Sequence, residues 1–172
     1  SSDGNTHATK STAGSGTLFQ AGQETVSATT VPRSDAGFTG NGVSIPGVLS
    51  LSGMTTSSTS QLISGKARVA TATAQIGQLT LAGGLITLNN MTWTVTQRTG
   101  ASPEKKTSFS IGSAKIGGIS RPADESSVDS LFSSINKLLA TTGLHITPPK
   151  QTTTGGVLAI SPLVIGIDNS SL

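Results

Sequence analysis

The sequence predicts a mainly β domain, either a β-sandwich or a barrel-like β-roll of short antiparallel strands, with one amphipathic α-helix. Three observations support this fold class: a composition rich in β-branched and turn-forming residues, a long stretch with a two-residue period, and one stretch with a helical period. Ser and Thr supply 52 of the 172 residues, and 21 Gly and 7 Pro are available for turns. A net charge of only +3 and periodic apolar positions distinguish the chain from a disordered one.

The longest β-type pattern runs over residues 67–98 and contains the only Trp, Trp93. From residue 68 to residue 76, small apolar side chains alternate with polar or β-branched ones, which predicts one packed face and one more hydrated face. Asn89 and Asn90 separate an apolar segment from a second alternating segment. Because Asn tolerates positive φ angles, this pair predicts a turn between two strands.

Further candidate strands are short segments rich in β-branched or apolar residues, at 16–20, 24–30, 43–51, 107–120, 144–147 and 156–167. Segments rich in Gly, Pro or charged and polar residues predict loops or turns, at 33–42, 100–106 and 151–155. Residues 52–60 are rich in hydroxyl groups and precede the central stretch.

One helix is predicted at about 127–141 from large apolar residues that recur at spacings of three and four. Ser126 or Ser127 can cap its N-terminus, and Gly143 is placed to end it. A helix with such a stripe is expected to cover a sheet face or a barrel end, and a helix that binds a partner is the alternative. The stripe consists of Val128, Leu131, Phe132, Ile135, Leu138 and Leu139.

Residues 1–16 are small and polar, which predicts an N-terminal arm in front of a single β-rich domain at 17–172. Such an arm buries too little apolar surface to offset its conformational entropy, so hydrogen bonds to a sheet edge are its natural source of order. Two arrangements stay open: the arm adds a strand to a neighbouring molecule, or it folds back on its own sheet. For the intermolecular arrangement, the expected assembly residues are Ser1, Thr6, Ala8, Thr12 and Gly16.

Two segments about 36 residues apart are similar in sequence, which raises the hypothesis of an internal duplication. Residues 45–49 align with residues 81–85, and after one inserted residue 51–55 align with 88–92. The alternative is chance similarity within a chain rich in Gly, Val and Leu.

No residue pattern predicts catalysis, a cofactor site or a metal site. The chain has no Cys, which excludes disulfides and thiolate metal sites. His7 and His145 are the only histidines, and among so many Ser residues a Ser–His–acid arrangement at His145 carries almost no weight. The Gly-Gly pairs lack the context of phosphate-binding loops, and no spaced run of carboxylates indicates calcium. We therefore expect a protein that is not an enzyme.

The sequence also narrows the expected partners. Lys105 and Lys106 form too short a basic run to predict nucleic-acid binding, and no apolar run of 18 residues predicts a membrane span. Trp93 is the candidate platform for a ligand such as a cell-wall polymer, although its alternation with Met91 and Val95 favours a place in the core. Self-association into a homo-oligomer or filament is the partner that the predicted arm favours.

The run GKARVATATAQIGQLTLAGGLITLNNMTWTV at 65–95 resembles secreted actinobacterial surface proteins of the choice-of-anchor P type. The order of later phrases is also similar, with FSIG at 109–112, IGG at 116–118, GL at 143–144 and GGV at 155–157. The resemblance covers about residues 43–167. It implies a location outside the cell, and it implies no activity and no functional residues.

These observations predict a non-enzymatic extracellular structural protein, a cell-surface or filament-forming subunit of bacterial origin that assembles through β-strand contacts. A monomeric surface module that binds cell-wall glycan or another surface ligand is the alternative, and a virion surface protein is a third reading. The assembly state of the purified protein separates the first two.

Overall fold

The structure, a computed structural model, describes residues 6–11, 19–20, 23–29, 33–63, 67–122, 128–154 and 157–167, with side chains from residue 33 onward except at 122, 154 and 157. The first nine strands precede the single α-helix in these ranges, and four short strands follow it. In chain order the elements are β1 Thr6–Ser11, β2 Phe19–Gln20, β3 Gln23–Thr29, β4 Arg33–Ile45, β5 Leu49–Leu62, β6 Arg68–Leu81, β7 Ile86–Arg98, β8 Glu104–Ile116, β9 Ile119–Pro122, α1 Val128–Leu139, β10 Leu144–Thr147, β11 Gln151–Thr154, β12 Val157–Ile160 and β13 Val164–Ile167.

The first nine strands form one antiparallel sheet, in the order β1-β3-β4-β5-β6-β7-β8-β9 with β2 beside β4. Two small antiparallel sheets, β10–β13 and β11–β12, complete the described fold. The expected mainly β, antiparallel fold with one α-helix is therefore confirmed. The large sheet stays open, so no barrel forms, and β4 to β8 reach 13 or 14 residues rather than being short.

The hydrophobic core lies on one face of this sheet, beneath a second layer that includes α1 and β10. Helix and strand are tied together by Asn136, whose Nδ2 donates to the Ile146 carbonyl at 2.9 Å while its Oδ1 accepts from the Ile146 amide at 2.8 Å. The sheet contributes large apolar side chains that are almost completely buried, namely Leu79, Leu81, Ile86, Leu88, Met91 and Ile111.

The helix matches its prediction closely. Its apolar stripe faces the core, since Leu131, Phe132, Ile135 and Leu139 are buried. A 3-10 turn at Ala140–Thr142 continues it, and Gly143 ends it in the left-handed conformation with a φ of 69°. The predicted caps, at 126 and 127, lie outside the described residues.

A line of Gly and Asn residues crosses the five long strands, and we call it the crease. Gly53 and Asn90 adopt positive φ angles of 65° and 54° within their strands. In a regular strand, residues three apart face opposite sides, yet Leu88 and Met91 are both buried in the same core. The strands therefore invert their alternation here, which keeps apolar side chains on one face along their whole length. The crease consists of Asn41, Gly53, Gly77, Asn90 and Gly112.

Three local predictions were wrong. Asn89 and Asn90 lie inside continuous β7, and the chain reverses instead at Ala82–Gly84. Residues 33–42, predicted as a loop, form most of β4, and residues 151–154, predicted as part of a turn, form β11. In each case pairing with a neighbouring strand outweighs local composition, because strand formation depends more on cross-strand partners than on intrinsic propensity.

The two similar segments occupy equivalent positions in the sheet. Residues 45–49 span the β4–β5 turn, and residues 81–85 span the β6–β7 turn at the same end of the sheet. The second part of the alignment places Gly53 against Asn90, the two positive-φ residues of the crease. The duplication itself stays a hypothesis.

Candidate functional site

Part of the large sheet is not filled by the second layer. Strand β12 packs against β7 and β8, and α1 packs against β8. The core-side surface of β4, β5 and β6 beyond the crease instead opens into two adjoining cavities. The cavities have volumes of about 340 and 290 Å³ and share Ser58, Ala72 and Val95 in their walls. We call this concave surface the trough.

Small side chains make the trough. The register places Ala36, Ser58, Ala72 and Val95 in one row across four strands, and the flanking rows on β6 add Ala70 and Ala74. These side chains are exposed or half-buried, unlike the large apolar side chains nearer the helix. Ile160 of β12 and the ring of Trp93 border one cavity. The trough is thus a shallow, largely apolar extension of the core.

Trp93 is buried, as its alternation predicted, with 9% of its surface exposed. Its ring packs against Phe109 with a centroid separation of 4.8 Å, and Phe109 in turn lies 6.3 Å from Phe132 of the helix. The buried Nε1 has no hydrogen-bond acceptor among the described residues. Little of the indole surface is exposed for the ligand platform that the sequence suggested. The Trp93 ring instead borders the trough.

The opposite surface of the sheet, which we call the hydroxyl face, carries regular rows of short polar side chains. Within a row, side chains on neighbouring strands are about 4.7–4.9 Å apart, and successive rows are about 6.6 Å apart along the strands. Thr71 and Thr96 are 3.5 Å apart between hydroxyl oxygens, and the Thr55 hydroxyl donates to Gln75 at 3.3 Å. The central members of this face are Thr55, Ser57, Thr59, Thr71, Thr73, Thr92, Thr94 and Thr96.

The hydroxyl face continues past the crease through hydrogen-bonded amides. Gln78 donates from Nε2 to Oδ1 of Asn89 at 3.1 Å, and Asn89 donates from Nδ2 to the Ser113 hydroxyl at 3.1 Å. These three side chains stand in one row of β6, β7 and β8. The face therefore presents oriented hydroxyl and amide groups along the full length of the strands.

An ion pair stands at the edge of the hydroxyl face. The Arg33 guanidinium donates to both Asp35 oxygens at 2.8 and 3.0 Å, and the Thr59 hydroxyl also donates to Asp35 at 2.9 Å. Hydrogen bonds from Arg33 and then Thr59 lower the pKa of Asp35 below its ordinary value. The same pair raises the pKa of Arg33, mainly through the hydrogen bond to Asp35.

The expected N-terminal assembly residues are only partly described. Thr6 and Ala8 lie on β1, which pairs with β3 of its own chain, with Thr6 opposite Ala28 and Ala8 opposite Val26. This described segment adopts the folded-back arrangement that the sequence had left open. The remaining expected residues, Ser1, Thr12 and Gly16, lie outside the described part of the chain.

The described titratable groups form no cluster that could hold a metal ion, defined as three or more His, Cys, Asp or Glu side chains. His145 lies over Gly166 of the paired strand β13, so closely that a Cβ on that glycine would overlap the imidazole ring. Among the described helices, none is long and apolar enough to cross a membrane.

No protein-family model matches the chain, and it matches no curated protein and no solved structure. The trough was missed at the level of sequence because alternation assigns residues to a face without showing whether that face is covered. One signal was available: Ala70, Ala72 and Ala74 have no large apolar partner on β5, since Ser60, Ser58 and Thr56 stand opposite them.

Proposed function

We propose that the protein is a non-enzymatic structural subunit of an extracellular surface or filament, which self-assembles through contacts between β-sheets. The observation that carries the proposal is the trough, an open and largely apolar surface that continues the core without a full second layer. The extracellular location rests on the resemblance to secreted surface proteins. The outward hydroxyl face, which is rich in Thr and poor in charge, suits an exposed surface.

Small side chains in the trough support close packing of a second sheet. Packed sheets lie about 10 Å apart, and rows of Ala and Ser permit a neighbouring sheet to seat its own larger side chains between the strands. Burial of apolar surface contributes about 25 cal/mol per Å², so a second copy lying along the trough gains stabilisation that the isolated chain lacks. Assembly would thus complete the layer that α1 begins.

Contact between faces is favoured over contact at the β8 edge. Strand β9 pairs only with residues 113–116 of β8, so residues 104–112 form an outer edge in the described sheet. Lys105 and Lys106 are exposed on this edge. Lysines on an edge oppose pairing with the edge of another molecule, because two such strands would bring like charges together.

Adjacent residues on β6 provide a matched test of this proposal. Both residues border the trough, but strand alternation puts the Ala72 side chain on the trough side and the Thr73 side chain on the hydroxyl face. Ala72→Arg and Thr73→Arg therefore place the same charge on opposite surfaces. We expect the native protein to form oligomers or filaments in light scattering and negative-stain images. Ala72→Arg should abolish them and Thr73→Arg should not. Single particles of the native protein, or assemblies that survive Ala72→Arg, would contradict the proposal.

A second candidate function is a monomeric module that binds cell-wall glycan, and the hydroxyl face is the observation that favours it. The row of Gln78, Asn89 and Ser113 presents amide and hydroxyl groups that can exchange hydrogen bonds with sugar hydroxyls. The same two variants separate the functions. Pull-down with insoluble wall polysaccharide should be blocked by Thr73→Arg and preserved in Ala72→Arg if this module is correct.

A further inference from the structure

The β4–β5, β6–β7 and β8–β9 turns meet at one end of the sheet, which we call the turn end. Two backbone hydrogen bonds link them: the Ala82 amide donates to the Val48 carbonyl at 2.9 Å, and the Gly117 amide donates to the Leu85 carbonyl at 2.9 Å. A Cβ placed on Gly117 would lie 3.7 Å from Cδ2 of Leu138, so the last turns of α1 adjoin the same end. The turn end is therefore a connected surface of short, closely spaced turns.

Apolar side chains project from this end into solvent. Ile119, the first residue of β9, is 62% exposed. Ile45 and Val48 flank the first turn and are 41% and 39% exposed. Exposed residues of this size are unremarkable when scattered singly, but here they lie on two turns that are both hydrogen-bonded to the β6–β7 turn between them.

Cations surround these apolar residues. Lys115 and Arg121 are exposed on β8 and β9, in the second and third residue pairs from the turn, and Lys137 is exposed next to Leu138. The carboxylates whose side chains are described lie elsewhere: Asp35 and Glu104 stand toward the far end of the sheet, and Asp129 stands at the start of α1. Among the side chains that the structure describes, the turn end thus combines projecting apolar groups with positive charge.

We infer that the turn end docks onto the surface of an anionic phospholipid bilayer. Charge complementarity favours this partner, because phosphate headgroups meet Lys115, Arg121 and Lys137 while the projecting Ile45, Val48 and Ile119 enter the boundary between headgroups and acyl chains. Short turns suit this role, since they bring apolar side chains to the interface while strand hydrogen bonds satisfy the backbone behind them. This docking is peripheral, and it does not depend on the proposed assembly through the trough.

Co-sedimentation with vesicles tests the inference directly. The full chain should bind vesicles that contain equal parts of phosphatidylglycerol and phosphatidylcholine, bind weakly to phosphatidylcholine alone, and dissociate as salt is raised. Replacing Lys115, Arg121 or Lys137 by Gln should weaken binding by about five-fold for each cation. The triple variant Ile45→Ser, Val48→Ser, Ile119→Ser should weaken it by about 100-fold.

The matched control is Ile63→Ser, because Ile63 is 43% exposed yet follows β5 at the opposite end of the sheet. This variant and Ala72→Arg should bind vesicles as the native protein does, which separates lipid docking from assembly. Circular dichroism and melting temperature verify that each variant is folded. Absence of binding to anionic vesicles, equal binding to neutral ones, or a loss in Ile63→Ser as large as in the triple variant would each overturn the inference.

Discussion

The covered and uncovered parts of the large sheet share the same strands but differ in what lies above them. Near the helix, Leu79 and Leu88 are opposite each other on β6 and β7 and lie beneath the second layer with almost no exposure. A few residues further along the same strands, Ala72 and Val95 are also opposite each other and line the open trough. Identical backbone pairing thus supports a packed core in one place and an accessible surface in the other. Side-chain volume and the second layer make the difference, and hydrogen bonding does not.

Truncating one side chain in the covered part and one in the uncovered part should give the largest difference in stability. Leu88→Ala leaves a cavity in the covered part and should reduce the free energy of unfolding by about 2–5 kcal/mol. Val95→Ala, on the same strand and the same face, removes a half-buried side chain and should cost below about 1.5 kcal/mol. Urea denaturation followed by Trp93 fluorescence measures both. Equal losses would show that the trough is packed as tightly as the core.

Substitutions in the crease should have an intermediate effect on stability. Gly53→Ala places a Cβ at a φ of 65° and 3.2 Å from the Cα of Gly77, so we expect a loss of about 1–3 kcal/mol. Asn90 adopts a similar φ with a side chain that tolerates it, and Asn90→Gly should change stability by less than about 1 kcal/mol. Thermal unfolding of the two variants provides the measurement. A neutral Gly53→Ala would mean that the crease can relax without cost.

Removing the Arg33–Asp35 ion pair, in the uncovered part of the sheet, should change stability least. The folded-state pKa of Asp35 is lowered, so its stabilisation is complete above the ordinary Asp value of about 3.9 and disappears as pH falls through the folded pKa. Asp35→Asn should therefore melt slightly below the native protein at neutral pH, and the two curves should converge in acid. High salt should also reduce the difference, because the pair is exposed. A difference that persists at low pH would contradict this origin.

Local patterns predicted the elements whose signal lies within one segment. The helix needed only its own apolar spacing, and its end at Gly143 followed from the conformational freedom of glycine. Strand β4 was missed because Asp35, Gly37 and Gly40 favour loops locally, whereas pairing with β3 and β5 holds them extended. The Asn89–Asn90 pair predicted a turn because Asn tolerates a positive φ. Asn90 does adopt a positive φ, but the angle inverts the strand instead of reversing the chain.

The candidate surfaces were less accessible to sequence reasoning than the fold. Alternation correctly placed Trp93 in the core and separated small apolar side chains from hydroxyl-bearing ones. It did not reveal that the row containing Ala72 lies beside the second layer rather than beneath it, because α1 and β12 are distant in sequence and their position depends on the whole chain. The turn end was hidden for the same reason, since its three turns meet only after the strands align.

The crease also fixes how the strands are aligned. Strands built from repeated Thr, Ser and Ala present nearly the same side chains after a slide of two residues, so their side chains specify the pairing weakly. The backbone at Gly53 and Asn90 is not interchangeable in this way, because each stands opposite a glycine, Gly77 or Gly112, that leaves room for it. A slide of β6 or β8 by two residues would bring a Cβ against the left-handed backbone of Gly53 or Asn90. The crease therefore fixes the register of the strands. The hydroxyl-rich segments can then vary in sequence while the sheet keeps one register.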